Sequence, residues 1–348
     1  MKKLCIAAAL CAISFGARAA LPLYDAVAAR IAPHGGCVVT DGRVLAVTQA
    51  HYMVVSLMSG DKERFQGALS CMRDKLQGGA PAALPAALYG PDPGDNDREK
   101  VLDGTRPTEA SVLMAWSLLE AGRAFGGGYE RQGRAMLASI KAQAVQDSAL
   151  GQVLAPQVPL GEDGSAALAP ASVPPFALRR LCLEDAGFCA IGSDSLRALS
   201  RGAGQGYVPD RITFTKDGLL AVYPSTAGTD EAARFWHYLA LTNKGDPDRA
   251  LLLSALGRLS ARLDEELRPP RLELMHPRTE EGMGSDAQDA SAALIGPYKS
   301  RWFLGAASAS LLKAEDDPLA QMIMLESLWL QDRRVELDRN GCLKEGKR

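Results

Sequence analysis

The chain has 348 residues, of which 47% are apolar and 23% charged, and its formal net charge at pH 7 is −2. That length suits one large domain or two small ones, and the near-neutral balance excludes the strong positive field that a nucleic-acid or anionic-membrane binder needs. Aromatic residues make up only 6%, few for a polysaccharide binder, because sugar rings stack on exposed Trp and Tyr faces.

The N-terminus reads as a secretory signal peptide over residues 1–19. Lys2 and Lys3 supply the positive charge, Leu4–Phe15 the apolar run, and Ala17-Arg18-Ala19 the small-residue cleavage site. The run is too short to span a bilayer and no later stretch is apolar enough to do so. The mature chain, residues 20–348, is therefore expected as a single domain, periplasmic or secreted, without stable membrane insertion. Cys5 and Cys11 would leave with the signal. Cys37, Cys71, Cys182, Cys189 and Cys342 remain, an odd set that leaves at least one thiol unpaired within the chain. Cys182 and Cys189 are close enough for a local disulfide in an oxidising compartment, and separate buried thiols are the equal alternative.

Helical patterning then recurs along the chain. Helices are predicted at Leu23–Arg30, Gln49–Met58, Asp61–Leu76, Glu109–Phe125, Tyr129–Val145, Pro174–Glu184, Ser193–Arg201, Thr229–Leu241, Asp246–Leu267, Asp286–Ile295, Lys299–Ala314 and Pro318–Arg333. Asp61 is a good N-cap, and Asp246-Pro247 sets a cap before a first-turn proline. Gly122 lies inside a helix, where it costs about 1 kcal/mol against alanine, so close packing is expected there. Gly90–Asp97 and Leu154–Pro175 read as loops. Val335–Leu343 alternates around Asn340-Gly341, a hairpin signal. His34, His51, His237 and His276 are scattered singly and read as structural or exposed. No Cys/His spacing suggests a metal, and no cofactor is implied.

Paired helices without strand alternation imply an all-α domain, and periodicity alone leaves a barrel and a solenoid of hairpins both open. The stretch Val101–Arg123, VLDGTRPTEASVLMAWSLLEAGR, resembles a signature region of glycoside hydrolase family 8, in particular the periplasmic endoglucanases of bacterial cellulose-synthase operons. Those carry S-A-S-D-x-D running into W-M-A-W-S-L-L-E-A-G-R. Leu84–Gly90, Ala169–Pro175, Gly206–Phe214 and Thr229–Tyr238 resemble further segments in the same order. The resemblance implies an (α/α)6 barrel with a cleft across one end, to which the hairpin signal adds a short C-terminal β-hairpin, and inverting hydrolysis of a β-1,4-glycosidic bond by an acid and a base carboxylate.

The motifs depart from the family at the chemistry. The acid segment T-S-E-G-Q-x-Y becomes Leu45-Ala46-Val47-Thr48-Gln49-Ala50-His51. Gln49 matches the motif Gln, so Val47 stands where the acid is expected. In S-D-x-D, Glu109 keeps one carboxylate and Ser111 replaces the sugar-binding Asp. In S-Y-D-A-x-R, anchoring on Arg234 puts Glu231 at the base position, and a local shift would make it Asp230. Glu231, Asp230 and Glu109 are the candidate catalytic residues. Gln49, Ser111, Tyr89, Arg211 and Tyr207 are the candidate binding residues. Trp116, with Val112 and Leu119, forms a helical stripe expected in the core.

Three readings follow. The first is an exported family 8-like protein with impaired catalysis and a structural or binding role in cellulose or exopolysaccharide production. Its partners would be a β-glucan such as cellulose, another polysaccharide, or secretion components, and not nucleic acid. The alternative is an active inverting endo-β-1,4-glucanase with a non-standard acid residue. A third is a cleft made cationic by Arg106, Arg211 and His51 for an anionic ligand.

Overall fold

The structure is a computed structural model, and it describes residues 24–32, 36–160, 166–202, 211–214, 220–222, 230–256, 317–331 and 335–344. The predicted helices at 286–295 and 299–314, and the signal segment, lie outside the described residues. Among the described residues no helix is long and apolar enough to cross a membrane.

Ten α-helices are described. They are α1 (Tyr24–Ile31), α2 (Ala46–Ser59), α3 (Lys62–Cys71), α4 (Thr108–Phe125), α5 (Tyr129–Gln143), α6 (Pro175–Glu184), α7 (Ala186–Gly202), α8 (Asp230–Leu241), α9 (Pro247–Leu256) and α10 (Pro318–Gln331). The all-α expectation holds, and α2–α3, α4–α5 and α6–α7 form successive helical hairpins. In each of the first two pairs an apolar helix precedes an amphipathic one. Almost all of α2 is buried, as is α4 from Thr108 to Ala121, whereas α5 buries only Gly133, Met136, Leu137 and Ile140. A helix apolar all round belongs in the interior and one with a single apolar stripe outside it, so composition alone assigns the inner and outer members.

Local signals explain the boundaries. The Asp61 carboxylate accepts from the Arg64 N–H at 3.0 Å, the expected N-cap. A single π turn, Met72–Leu76, continues α3 to its predicted end. Gly122 is explained by close approach, because a Cβ there would lie 2.8 Å from Glu130 Cβ. Gly133 meets Leu119 in the same way, so α4 and α5 cross nearly backbone to backbone. Helix α7 starts seven residues before the prediction. The Asp185 side chain accepts from Gly187 N–H at 2.8 Å, and a Cys182–Cys189 disulfide closes the turn before the helix. Gly187 and Gly192 masked this start in the sequence.

The two stretches predicted as loops hold short strands instead. β1 (Val44–Leu45), β2 (Leu88–Asp92) and β3 (Asp95–Asp103) form one antiparallel sheet. Its turn is organised by the Asp92 carboxylate accepting from Gly94 N–H at 2.9 Å. β3 is charged along its length and lacks the apolar alternation that announces a half-buried strand. β4 (Arg106–Pro107) pairs β7 (Gln157–Val158), and β5 (Val145–Ser148) pairs β6 (Gly151–Leu154). β8 (Ala166–Leu168), β9 (Ile212–Phe214) and β10 (Leu220–Val222) make the last sheet. A second disulfide, Cys37–Cys71, ties the segment before α2 to the end of α3, and Cys342 is free and buried.

The predicted C-terminal hairpin is present as a tight turn. Leu337 faces Leu343, Asp338 N–H donates to Cys342 O, and Gly341 N–H donates to Asp338 O. Gly341 has φ 71°, and a Cβ there would run into the Phe176 carbonyl. Only glycine combines that left-handed conformation with that contact.

Candidate active site

The segment expected to bring the catalytic acid forms β1 and the first turn of α2. Val47 is half-buried there and packs against the apolar core. Two residues on, Gln49 is fully buried and its amide is spent on the backbone. Its Oε1 accepts from Val38 N–H at 3.0 Å, and its Nε2 donates to Gly36 O at 2.5 Å and Ala68 O at 3.1 Å. Gln49 thus staples the 36–38 segment to α3.

The other candidates sit at the start of α4 and along α8. Ser111 is buried and its hydroxyl donates back to Pro107 O at 3.2 Å. Glu109 is buried, in the first turn of α4, where a carboxylate is favoured by the helix dipole. It meets Arg234 of α8 in a two-pronged pair, 2.6 Å from Nε and 2.8 Å from Nη2, and Tyr238 Oη donates to it at 2.5 Å. A carboxylate engaged by three donors acts as an acceptor and offers no hydrogen of its own. Asp230 and Glu231 open the same helix one turn before Arg234; their side chains lie outside the described residues, as does Tyr207. Arg211 is exposed just before β9. Tyr89, on β2, is half-buried, and Lys75 Nζ stands 4.7 Å from its ring centroid while pairing with Glu99 at 2.6 Å. One face of that ring is therefore covered by a cation.

The pair does not end at Tyr238. His51 Nε2 lies 2.9 Å from Tyr238 Oη, and its Nδ1 lies 3.3 Å from Glu326 Oε1 on α10. His237 Nε2–H donates to Glu326 Oε2 at 2.5 Å. Arg234, Glu109, Tyr238, His51, Glu326 and His237 thus form one continuous buried chain across α2, α4, α8 and α10. Burial first, then the neighbouring Glu109 charge, push the Tyr238 phenol well above the usual tyrosine value. Burial also pushes the Glu326 carboxyl up, but hydrogen bonds from His237 and His51 outweigh it and bring it down to about 2. His51, grouped with the cationic cleft on sequence grounds, is fully buried and belongs to this chain. Sequence reasoning missed the convergence of the two histidines on Glu326. A signal existed: Glu326 is the one charged residue in PLAQMIMLESLWLQ, and a carboxylate on an apolar helix needs a buried partner.

The second half of α4 builds a different cluster. Trp116 is buried, its Nε1 donates to Gly341 O at 2.8 Å, and its ring meets Phe176 edge-on. Glu120 accepts from Arg180 Nε at 2.6 Å, Arg123 Nη1 at 2.5 Å and Leu343 N–H at 2.8 Å. The W-x-x-x-E-x-x-R spacing therefore clamps the C-terminal turn onto the barrel. Among the described residues no group of three His, Cys, Asp or Glu side chains is placed to hold a metal ion.

The comparisons with known proteins agree with this architecture. The family described as Glycosyl hydrolases family 8 matches residues 28–280. An endoglucanase of Xanthomonas axonopodis pv. citri (strain 306) is 29% identical over 340 residues, covering 93% of this chain and 85% of that protein. An endoglucanase of Escherichia coli (strain K12) is 28% identical over 253 residues, covering 71% and 68%. Among solved structures, an endo-1,4-D-glucanase from Vibrio fischeri ES114 superposes with a TM-score of 0.82 at 23% identity, covering 92% of this chain and 98% of that one. The family 8 endoglucanase Cel10 from Klebsiella pneumoniae gives 0.69 at 17% identity, covering 89% and 99%.

Proposed function

This chain belongs to glycosyl hydrolase family 8, whose fold is the (α/α)6 barrel, and from that premise we propose that it keeps the family's glucan cleft with its hydrolytic step lost or severely impaired. The observation that carries this reading is Val47. In the motif register anchored on Gln49 it stands where the acid is expected, it lies in the first turn of α2, and no Asp or Glu lies between Arg43 and Gly60. Inverting hydrolysis needs a carboxylic acid to protonate the leaving oxygen, and losing general acid catalysis costs about 10²–10⁴-fold in rate.

Two further features support it. The Glu109 carboxylate is taken up by Arg234 and Tyr238, which suits a structural pair better than a proton donor. The Tyr89 ring carries Lys75 over one face, which removes stacking area for a neutral sugar. The role is structural or glucan-binding, linked to cellulose or exopolysaccharide production, with a β-glucan or secretion components as partners. Export fits the two disulfides, which persist in oxidising compartments, and the mature residues 20–348 act as one domain.

The endoglucanase relatives favour a second reading, an active inverting endo-β-1,4-glucanase with Glu109 as a non-standard acid and Glu231 or Asp230 as base. Reducing-end release from carboxymethyl-cellulose separates the two. The chain from Ala20 onward is expected to release nothing above background, and Val47→Glu to gain activity. Activity in the parent that Glu231→Gln abolishes would overturn the impaired reading in favour of the second.

A further inference from the structure

The segment 36–43 enters the barrel with few bonds of its own. Among the described residues its backbone hydrogen-bonds to the rest of the molecule through the Gln49 amide alone, at Gly36 O and Val38 N–H. Thr40 and Arg43 bond each other, at 2.9 Å both ways, around a turn in which Asp41 and Gly42 have φ 52° and 73°. The buried Val38 side chain is its apolar anchor. β1 follows at once and pairs with β2, Val44 against Tyr89 and Leu45 against Leu88. A stretch held by so few bonds is one that opens at low free energy. Two contacts seat it on α3. Gly36, at φ 93°, lies so close to Gly67 that a Cβ there would stand 2.3 Å from Gly67 O. Next to it, half-buried Cys37 is bonded to buried Cys71, the last residue of α3 and 34 positions away. The other disulfide, Cys182–Cys189, spans only 7 positions and joins α6 to α7 across their turn.

We infer that Cys37–Cys71 is a redox latch whose closure fixes the 36–45 edge beside β2, while the helical hairpins stand without it. Closure removes two protons and two electrons from the Cys37 and Cys71 thiols. A disulfide donor such as oxidised glutathione takes them up and leaves as two thiols. An oxidising compartment closes the latch and a reducing one leaves it open. The two disulfides are not equivalent, because a tie across 34 positions restricts an open chain more than one across 7. The hairpins have other supports. α3 starts at its Asp61 cap, and its Phe65 ring meets Phe125 and Tyr129 with centroids 5.9 Å and 5.5 Å apart. α4 and α5 meet nearly backbone to backbone at Gly122 and Gly133. What the latch controls is the stretch that leads into Val47 and the edge of the sheet that carries Tyr89. It does so whether or not the cleft binds glucan.

Backbone hydrogen exchange on the chain from Ala20 onward tests the latch. The double variant Cys37→Ala/Cys71→Ala is compared with the native protein, and Cys182→Ala/Cys189→Ala serves as control. The first variant is expected to exchange about 10-fold faster or more over 36–45 with α4 and α5 unchanged, and the control to keep native exchange over 36–45. The native chain refolded with its thiols reduced is expected to match the first variant, and oxidised glutathione to restore the native rates. Unchanged exchange over 36–45 in the first variant would show that the Gln49 amide suffices, and overturns the proposal, as does fast exchange that oxidised glutathione fails to slow. Equal acceleration in α4 and α5, or failure of the first variant to fold, overturns it as well, because the tie would then hold the whole barrel rather than one edge.

Discussion

Glu109 and Glu120 stand about three turns apart on one face of α4, and each is buried against an arginine from another helix. What lies beyond the two arginines differs. Around Glu120 the partners are guanidinium groups and a backbone N–H, and Arg180 runs on to Glu184, which Arg134 also reaches. Burial pushes the Glu184 carboxyl up, and the two arginines overcome that and hold it below the usual range. Around Glu109 the chain continues through a phenol, two imidazoles and a second carboxylate. Guanidinium offers a fixed fork of donors, whereas a phenol and an imidazole can each donate and accept. One helix thus carries a guanidinium clamp at its C-terminal half and joins a network of phenol, imidazoles and a second carboxylate at its N-terminal half. The clamp coincides with the part of the motif that matches family 8, Met114 to Arg123, and the network with the part that departs from it.

The largest expected effect is on the clamp. Glu120→Ala removes one of the two carboxylates that pair with Arg180, only 4% exposed, and leaves the Leu343 N–H without its acceptor; with Glu184 still in place the cost is expected at about 3 kcal/mol. Denaturant unfolding would measure it, and a loss below about 1 kcal/mol would mean that the pair does not hold the two halves of the barrel together. Gly341→Ala drives a Cβ into the Phe176 carbonyl at a left-handed φ and is expected to cost about 1–3 kcal/mol, seen as a lower Tm together with faster proteolysis after residue 335. An unchanged Tm would show the turn to be loosely seated.

The Glu326 end of the network gives the fold an acid limb to its stability. Glu326 has its folded value depressed to about 2 against an ordinary value near 4.3. A depressed carboxyl contributes stability above its unfolded value, and that contribution is lost as pH falls from about 4 to 2. Glu326→Gln is expected to be less stable at pH 7 and flatter than the native chain over that acid window. Equal acid slopes in the two proteins would place the acid sensitivity elsewhere. The smallest effect is expected at Arg123, whose side chain is 47% exposed although it touches buried Glu120. Solvent screening leaves such a pair about 0.2–1 kcal/mol, so Arg123→Ala should barely move the unfolding midpoint. A loss as large as that of Glu120→Ala would mean that Arg123, not Arg180, carries the clamp.

Short-range features were legible in the sequence because they depend on neighbours a few residues apart. The helices of the first half, the Asp61 cap, the tight Gly122 crossing and the turn at Asn340-Gly341 all rest on local periodicity or on one residue's conformational freedom. The small sheets were not legible. β3 is a charged ribbon whose pairing with β2 leaves no apolar alternation, and Gly187 concealed the start of α7. At the candidate site, the motif register pointed to Val47, Glu109 and Arg234, and the structure shows the last two paired. The employment of Gln49 and Ser111 in backbone contacts could not, because nothing in the local sequence tells which way an amide or a hydroxyl turns.

By itself the sequence determined an all-α family 8 chain with valine where the acid is expected, since both follow from residue types in register with a motif. Only the tertiary structure decided what the remaining polar residues do. Glu109 finds Arg234 across 125 positions of chain, and His51 finds Glu326 across 275. Such partners are selected by which helices pack side by side and by the cost of burying a charge alone, and neither is written within any one helix.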